Sequence, residues 1–268
     1  MSGSGLSCLC PLFVPATRID RFAKAAASGA DAIIIDLEDA VPPEAKITAR
    51  EALDTKILPN APTFLRINGF ATAWYAGDLE IVRRLGITSI VLPKCERPDE
   101  IANLRAVLGP IEIIALIETA KGLANARTIT GAGAARLAFG SIDLSADLGC
   151  SPLREVLVPA RAEIVLASRL AGLCPPLDGI TMAINDPPQV LGDAQHACAM
   201  GFGGKMCIHP SQIAHVKAGF RPSAADMAWA EAIAAVPGDG VVNIEGTMVD
   251  APVRARARQI LARQKAAG

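Results

Sequence analysis

The chain has 268 residues, 51% of them hydrophobic and 20% charged, with 26 Lys+Arg against 27 Asp+Glu and a formal net charge of −1. That composition describes a core-rich globular chain, long enough for one α/β barrel or two small domains, and excludes a disordered one. A balanced charge offers no basic footprint for a polyanion, so nucleic acid is not expected as a partner.

The opening stretch, MSGSGLSCLCPLFVPA, has no basic residue before Arg18, and Pro11 and Pro15 interrupt its apolar run, so it does not read as a signal peptide. No segment approaches the roughly 18 apolar residues of a membrane span. The seven cysteines, at 8, 10, 95, 150, 174, 198 and 207, form no C-x-x-C pair. They read as reduced thiols of a cytoplasmic protein.

Short apolar runs then recur along the chain: CPLFVPA (10–16), AIIIDLED (32–39), TFLRIN (63–68), SIVLPK (89–94), EIIALIET (112–119), RLAFGSIDL (136–144), DGITMAI (178–184) and GGKMCIHP (203–210). They are continuous rather than alternating, as parallel strands buried on both faces require. Helical patterns lie between them. DRFAKAAASG ends on Gly29, PPEAKITAREAL opens with prolines, and DEIANLRAVLG ends on Gly109, which follows the usual capping asymmetry. Eight such units predict a TIM-type (β/α)8 barrel over residues 1–220. GAGAAR (131–136) precedes a strand instead of following one, so the dinucleotide-binding pattern is absent. Residues 221–268 exceed what a barrel needs. They read as a helical C-terminal extension that packs on the barrel or on a neighbouring subunit.

In this architecture polar residues at the C-terminal ends of strands face the active-site mouth. The second run ends in Asp36-Leu37-Glu38-Asp39, the third in Arg66-Ile67-Asn68, the fourth in Pro93-Lys94 and the fifth in Glu118-Thr119; the sixth ends in Asp143, just after Ser141. Five of eight strand ends thus converge charge on one rim. Carboxylates gathered without a His or Cys cluster invite Mg²⁺ or Mn²⁺ rather than zinc. Arg66 can fork onto a substrate carboxylate through charge-assisted bonds of about 1.5–3 kcal/mol each.

Each residue also has a plainer reading. A single acid after a strand often caps the next helix, and Asp36 or Asp39 can pair with a basic residue of the rim. Glu118 resists that reading: Glu is a poor cap, and a charge directly after Ile113–Ile117 is costly to bury alone. His209, beside Pro210, reads as a hydrogen-bonded structural histidine, and His196 and His215 fall on helical patterns.

The segments LFVPA, GADAIIIDLEDAV, LRIN, IVLPK, ALIET, FGSIDLSADLG, GFGGKMCIHPSQI and EGTMVDAP occur in that order. In this they resemble citrate lyase beta subunit-like proteins, of the wider group that holds malyl-CoA and citramalyl-CoA lyases and the HpcH/HpaI aldolases. The resemblance spans about residues 11–262. DLEDAV with IHPSQ downstream is the specific pair; LFVP or IET alone is weak. It implies a TIM barrel assembled as a trimer or a multiple of trimers. It also implies Mg²⁺ held by Glu118 and Asp143, and a substrate carboxylate held by Arg66. Asp250, in TMVDAP, matches an aspartate that handles a proton in a neighbour's active site. Asp36, Glu38 and Asp39 match a cluster that orients metal-bound waters. Arg66, Lys94 and Glu118 are thus the candidate substrate contacts, and Asp250, Arg66 and Glu38 the candidate catalytic groups. Asp36 and Asp39 are their supporting acids.

Two departures bear on function. No basic residue precedes LFVP, where family members often offer one to a CoA phosphate. The second run also lacks the histidine that serves as base in HpcH/HpaI aldolases. The reading is therefore a Mg²⁺-dependent carbon–carbon lyase that acts on a 3-hydroxy-acyl thioester carried by CoA or a carrier protein. It yields an acyl thioester and a 2-oxo acid, with thioester hydrolysis as a further step open to the same groups. A class II aldolase acting on free 2-oxo acids and a non-catalytic barrel subunit remain as alternatives.

Overall fold

The computed structural model describes residues 5–237, 241–244 and 247–267. Eight strands pair in parallel and in chain order: β1 (Leu12–Pro15), β2 (Ile33–Asp36), β3 (Thr63–Arg66), β4 (Ser89–Leu92), β5 (Glu112–Ile117), β6 (Arg136–Phe139), β7 (Leu177–Asp178) and β8 (Gly204–Lys205). The sheet curls until its ends meet. Phe13 N–H donates to Cys207 O at 2.9 Å and Cys207 N–H to Pro11 O at 2.8 Å, and a parallel bridge joins Leu12 to Cys207. This is the expected TIM-barrel fold.

The helices are α1 (Phe22–Ala26), α2 (Lys46–Ala52), α3 (Tyr75–Leu85), α4 (Pro98–Leu108), α5 (Ala120–Ala124), α6 (Ala126–Gly131), α7 (Ser141–Leu148), α8 (Val158–Leu170), α9 (Pro187–Met200), α10 (Ile213–Phe220), α11 (Ala224–Ala234) and α12 (Ala251–Ala267). Gly86, Gly149 and Gly201 end α3, α7 and α9 in the left-handed conformation that a side chain resists.

Two apolar clusters explain why the runs are continuous. Ala32, Ile34, Phe64, Val91, Ile114, Leu116, Ala138, Leu177 and Met206 fill one, with Phe13 and Ile180 against it. Ile33, Ile35, Leu65, Ile90, Leu92, Ile113, Ile117, Leu137 and Phe139 belong to the other, with the helices. The two sets alternate along each strand, so the first is the barrel interior and the second the layer beneath the helices. At the bottom of the barrel Arg136, fully buried, donates to the carbonyls of Leu6, Cys8 and Pro175.

The seventh and eighth ladders are shorter than the apolar runs predict. Beyond Asp178 the Gly179 carbonyl is taken by the Lys205 ammonium instead of a strand N–H. A Cβ on Gly179 would also lie 2.3 Å from Ser141 Oγ, so the chain there closes onto α7 and leaves the sheet. The sixth strand likewise stops at Phe139, and Asp143 stands in the first turn of α7 rather than at a strand end. Past α10, a hairpin of β9 (Val242–Ile244) and β10 (Thr247–Val249) precedes α12. Ala230, Ile233, Val249, Ala257 and Ile260 form a third small cluster there. Glu245 and Gly246 of the EGTMVDAP segment lie outside the described residues.

Candidate active site

Side chains two residues apart on a strand share a face. Asp36 therefore follows Ile34 into the barrel interior, Arg66 follows Phe64, and Glu118 and Gly140 follow Leu116 and Ala138. Where the apolar filling stops, these polar residues floor a cleft of about 440 Å³. Asp36, Asp39, Arg66, Glu118, Ser141 and Asp143 are among the residues that line it. Phe13, Leu116, Phe139, Ile180, Met182 and Met206 are among the apolar residues of its walls.

Arg66 is held on three sides. Its Nε and Nη2 donate to Asp36 Oδ1 and Oδ2 at 2.7 and 2.6 Å. Nη1 lies 3.0 Å from Glu38 Oε2 and 3.7 Å from Asp39 Oδ2, and the Phe13 ring covers the guanidinium at 4.8 Å. Burial works against the charge, but Asp36, Glu38 and Asp39 together raise the guanidinium above its ordinary value. One edge of the fork is thus already occupied by Asp36, and Nη1, in contact with Glu38 Oε2 but without an aligned bond to it, is the corner that can still donate to a ligand. Asp36 is itself fixed by the N–H groups of Glu38 and Ala40.

Glu38 and Asp39 take different sides of this pair. Asp39 lines the cleft and is half exposed, whereas Glu38 is buried and off the cleft lining, with Lys94 Nζ on its Oε1. Its Oε2, though close to Arg66 Nη1, accepts no aligned hydrogen bond. Desolvation raises the Glu38 carboxyl above the usual range against the pull of Arg66 and Lys94.

Glu118 is 1% exposed. Its Oε1 accepts the Lys94 N–H at 2.7 Å, and its Oε2 packs against Gly140, where a Cβ would lie at 2.5 Å. Burial pushes its carboxyl up to about 8, and Glu38 and Asp143 add repulsion. A carboxyl so destabilised as an anion, facing a second acid, is a site that a cation relieves. Asp143 sits three residues past Gly140, where the first-turn N–H groups of α7 favour a negative charge. Among the described residues no group of three His, Cys, Asp or Glu side chains is arranged to hold a metal ion. Two carboxylates, with the remaining places open to water and substrate oxygens, is the donor set that suits Mg²⁺.

A supporting layer was not legible as such in the sequence. Lys46, from α2, is buried and donates to the Leu37 and Glu38 carbonyls at 2.9 and 2.7 Å. Asn68 Nδ2 donates to Leu37 O at 3.0 Å and to Asp78 Oδ2 at 2.7 Å, and Arg50 Nε holds Asp78 Oδ1 at 2.9 Å. These contacts set the shape of the Asp36–Asp39 turn. The one available signal was Asn68, two residues after Arg66 on the same face.

Asp250 does not line the cleft of its own barrel. Its Oδ1 accepts the Val253 N–H at 3.1 Å and so caps α12. His209 likewise caps the short turn at Pro210–Gln212, as its structural reading expects. No helix among the described residues is long and apolar enough to cross a membrane.

The model of the HpcH/HpaI aldolase/citrate lyase family matches residues 10–210, and that of the C–C bond lyases of the TIM-barrel fold matches residues 186–268. The chain is 36% identical to a citrate lyase subunit beta-like protein of Deinococcus radiodurans, over 94% of this chain and 96% of that one. It is 32% identical to a (3S)-malyl-CoA thioesterase of Cereibacter sphaeroides, over 95% and 94%. Among solved structures, the protein CitE from Mycobacterium tuberculosis in complex with magnesium, acetoacetate and coenzyme A is similar at a TM-score of 0.85. It is 38% identical, with 96% of this chain and 98% of that one covered.

Proposed function

This chain belongs to the HpcH/HpaI aldolase/citrate lyase family, and we propose that it is a Mg²⁺-dependent carbon–carbon lyase acting on a 3-hydroxy-acyl thioester. The products are an acyl thioester and a 2-oxo acid, and the reaction is reversible. The observation that carries this reading is the buried Glu118 with Asp143 in the same cleft as the Asp36-braced Arg66. A metal site next to a carboxylate anchor is what a 2-oxo acid needs.

Glu118 and Asp143 would hold the metal, which supplies Lewis acidity toward the oxygens of the 2-oxo acid half. Arg66 Nη1 binds the carboxylate of that half, and the apolar wall of Phe13, Ile180, Met182 and Met206 receives its carbon skeleton. Asp39, half exposed in the cleft and 3.7 Å from Arg66 Nη1, would take the hydroxyl proton in place of Glu38, the candidate read from the sequence, which does not line the cleft. Breaking the bond between the two carbons leaves a thioester enolate, which takes a proton from the protonated carboxyl of Asp250 of an adjacent subunit; water then reprotonates Asp250 and accepts the proton held by Asp39. That assignment needs a homotrimer or a multiple of it, with the C-terminal extension reaching a neighbour's cleft. CoA or a carrier protein bears the thioester. The likeness to malyl-CoA thioesterases favours hydrolysis of the thioester as a second step on the same site.

Incubation with malyl-CoA and citramalyl-CoA, with Mg²⁺ or with EDTA, tests the reading. Release of glyoxylate or pyruvate with Mg²⁺ alone is expected. Turnover of free hydroxy acids but not thioesters would move the assignment to a free-acid aldolase, and no turnover of either would remove it.

A further inference from the structure

We propose that Lys94 is a positioning residue that keeps Arg66 available to a ligand carboxylate, and not a substrate contact; this rests on the reading of Arg66 and the Glu118–Asp143 pair given above. Its backbone has φ 47, and no other non-glycine among the described residues has a positive φ. An L side chain rarely adopts this conformation, whereas glycine enters it freely. A lysine held there earns its place through the side chain.

That side chain does not line the cleft. Nζ sits on Glu38 Oε1 and 3.7 Å from Asp39 Oδ1. Glu38 lies between two cations and contacts both, Lys94 through Oε1 and Arg66 Nη1 at 3.0 Å through Oε2. Its main chain cannot drift, because Lys46 Nζ holds its carbonyl. The carboxylate can therefore only rotate in place. With Lys94 present, Glu38 is neutralised through Oε1 and its Oε2 makes no aligned bond to Arg66. Remove the ammonium, and the buried carboxylate turns its existing 3.0 Å contact with Nη1 into an aligned bond, which takes up the corner of Arg66 that Asp36 leaves open. The same lysine's N–H separately braces Glu118 Oε1 at 2.7 Å, and that bond survives any replacement other than proline.

These two roles separate in one experiment. Calorimetric titrations of Mg²⁺, and of pyruvate at saturating Mg²⁺, are run on the wild-type protein, Lys94→Met, Lys94→Gly, Glu38→Gln and the Glu38→Gln/Lys94→Met double variant. Lys94→Met should bind Mg²⁺ within roughly threefold of wild type and pyruvate about tenfold or more weaker, the loss of one charge-assisted bond. Lys94→Gly should show the same loss with a higher Tm, since the strain goes too. The double variant should recover pyruvate affinity to within roughly threefold of Glu38→Gln alone, because an uncharged Gln no longer competes for Arg66. Normal pyruvate binding by Lys94→Met would overturn the proposal. So would a loss that Glu38→Gln does not rescue, which would make Lys94 a direct contact. Unfolding of both Lys94 variants would show a purely structural role and overturn it as well. A wild-type protein that binds neither Mg²⁺ nor pyruvate would instead remove the underlying functional reading.

Discussion

Asp36 and Arg66 stand in register at the last positions of neighbouring parallel strands, and their side chains join in a two-bonded fork of 2.7 and 2.6 Å. The fork aims the guanidinium without closing it off, since Nη1 is outside it. Lysine retains the charge but cannot make both bonds and still present a third donor in the plane. Arg66→Lys is therefore expected to weaken pyruvate binding in Mg²⁺ by about tenfold or more, at about 1.5–3 kcal/mol per charge-assisted bond. Wild-type pyruvate affinity in calorimetry would show that the carboxylate is held elsewhere.

Glu118 makes the stability of the metal-free protein depend on pH. Its carboxyl rises from 4.5 to about 8 through burial first, then through Glu38 and Asp143. A carboxyl with its folded value above its unfolded one keeps its proton longer when folded, so it costs stability as pH climbs between the two values. Denaturant unfolding of the metal-free protein should show this decline between about pH 5 and pH 8. Glu118→Gln should flatten it, be the more stable form at pH 8, and bind no Mg²⁺. An unchanged slope, or unaltered Mg²⁺ affinity, would contradict the assignment.

Gly140 leaves room for the same carboxylate. Its φ of −89° suits any residue, so Gly140→Ala tests space and not backbone strain. The added Cβ would stand 2.3 Å from Glu118 Cβ and 2.5 Å from Oε2. Glu118 must shift, with about 1–3 kcal/mol of destabilisation and a loss of Mg²⁺ affinity. Wild-type values for both would mean that the wall yields elsewhere.

Asp250 caps α12 and lies off the cleft of its own chain. If it serves a neighbour, co-expressed Asp250→Asn and Glu118→Gln chains should assemble some sites with both groups intact. Activity well above either parent is expected from oligomers that elute as one species. None in a proven mixed oligomer would leave Asp250 as a helix cap.

Asp31 closes the bottom of the barrel. It accepts the N–H groups of Leu9 and Cys10 at 2.9 and 3.0 Å and pairs with Lys217 at 2.9 Å. Burial opposes its charge, yet Lys217 and these N–H groups hold its carboxyl below the usual range. This stability is present above the unfolded value and is lost as pH falls through the folded one. Asp31→Asn should cost about 1–3 kcal/mol at neutral pH and shrink toward zero in acid. An equal deficit at both pH values would show that charge plays no part.

The apolar runs, their continuity and the polar residues that end them were legible in the sequence, because strand periodicity is local. Ile34 facing the barrel interior obliges Asp36 to do the same, and Phe64 obliges Arg66. The family motifs carried the candidates Glu118, Asp143 and Asp250 by position. What the sequence could not decide begins where the period stops. Past Asp36 the chain turns, and bonds from Lys46 and Asn68, on other elements, join those of Asp36 itself in a turn that has Asp39 in the cleft and Glu38 off its lining. Asp143 reads as a strand end until Gly140 is seen to start a helix. The left-handed turn at Lys94 and the space beneath Glu118 at Gly140 exist only because β4, β5 and β6 lie side by side. Alternation along one strand follows from its own backbone, whereas a site built across five strand ends is decided by which strands become neighbours when the barrel closes.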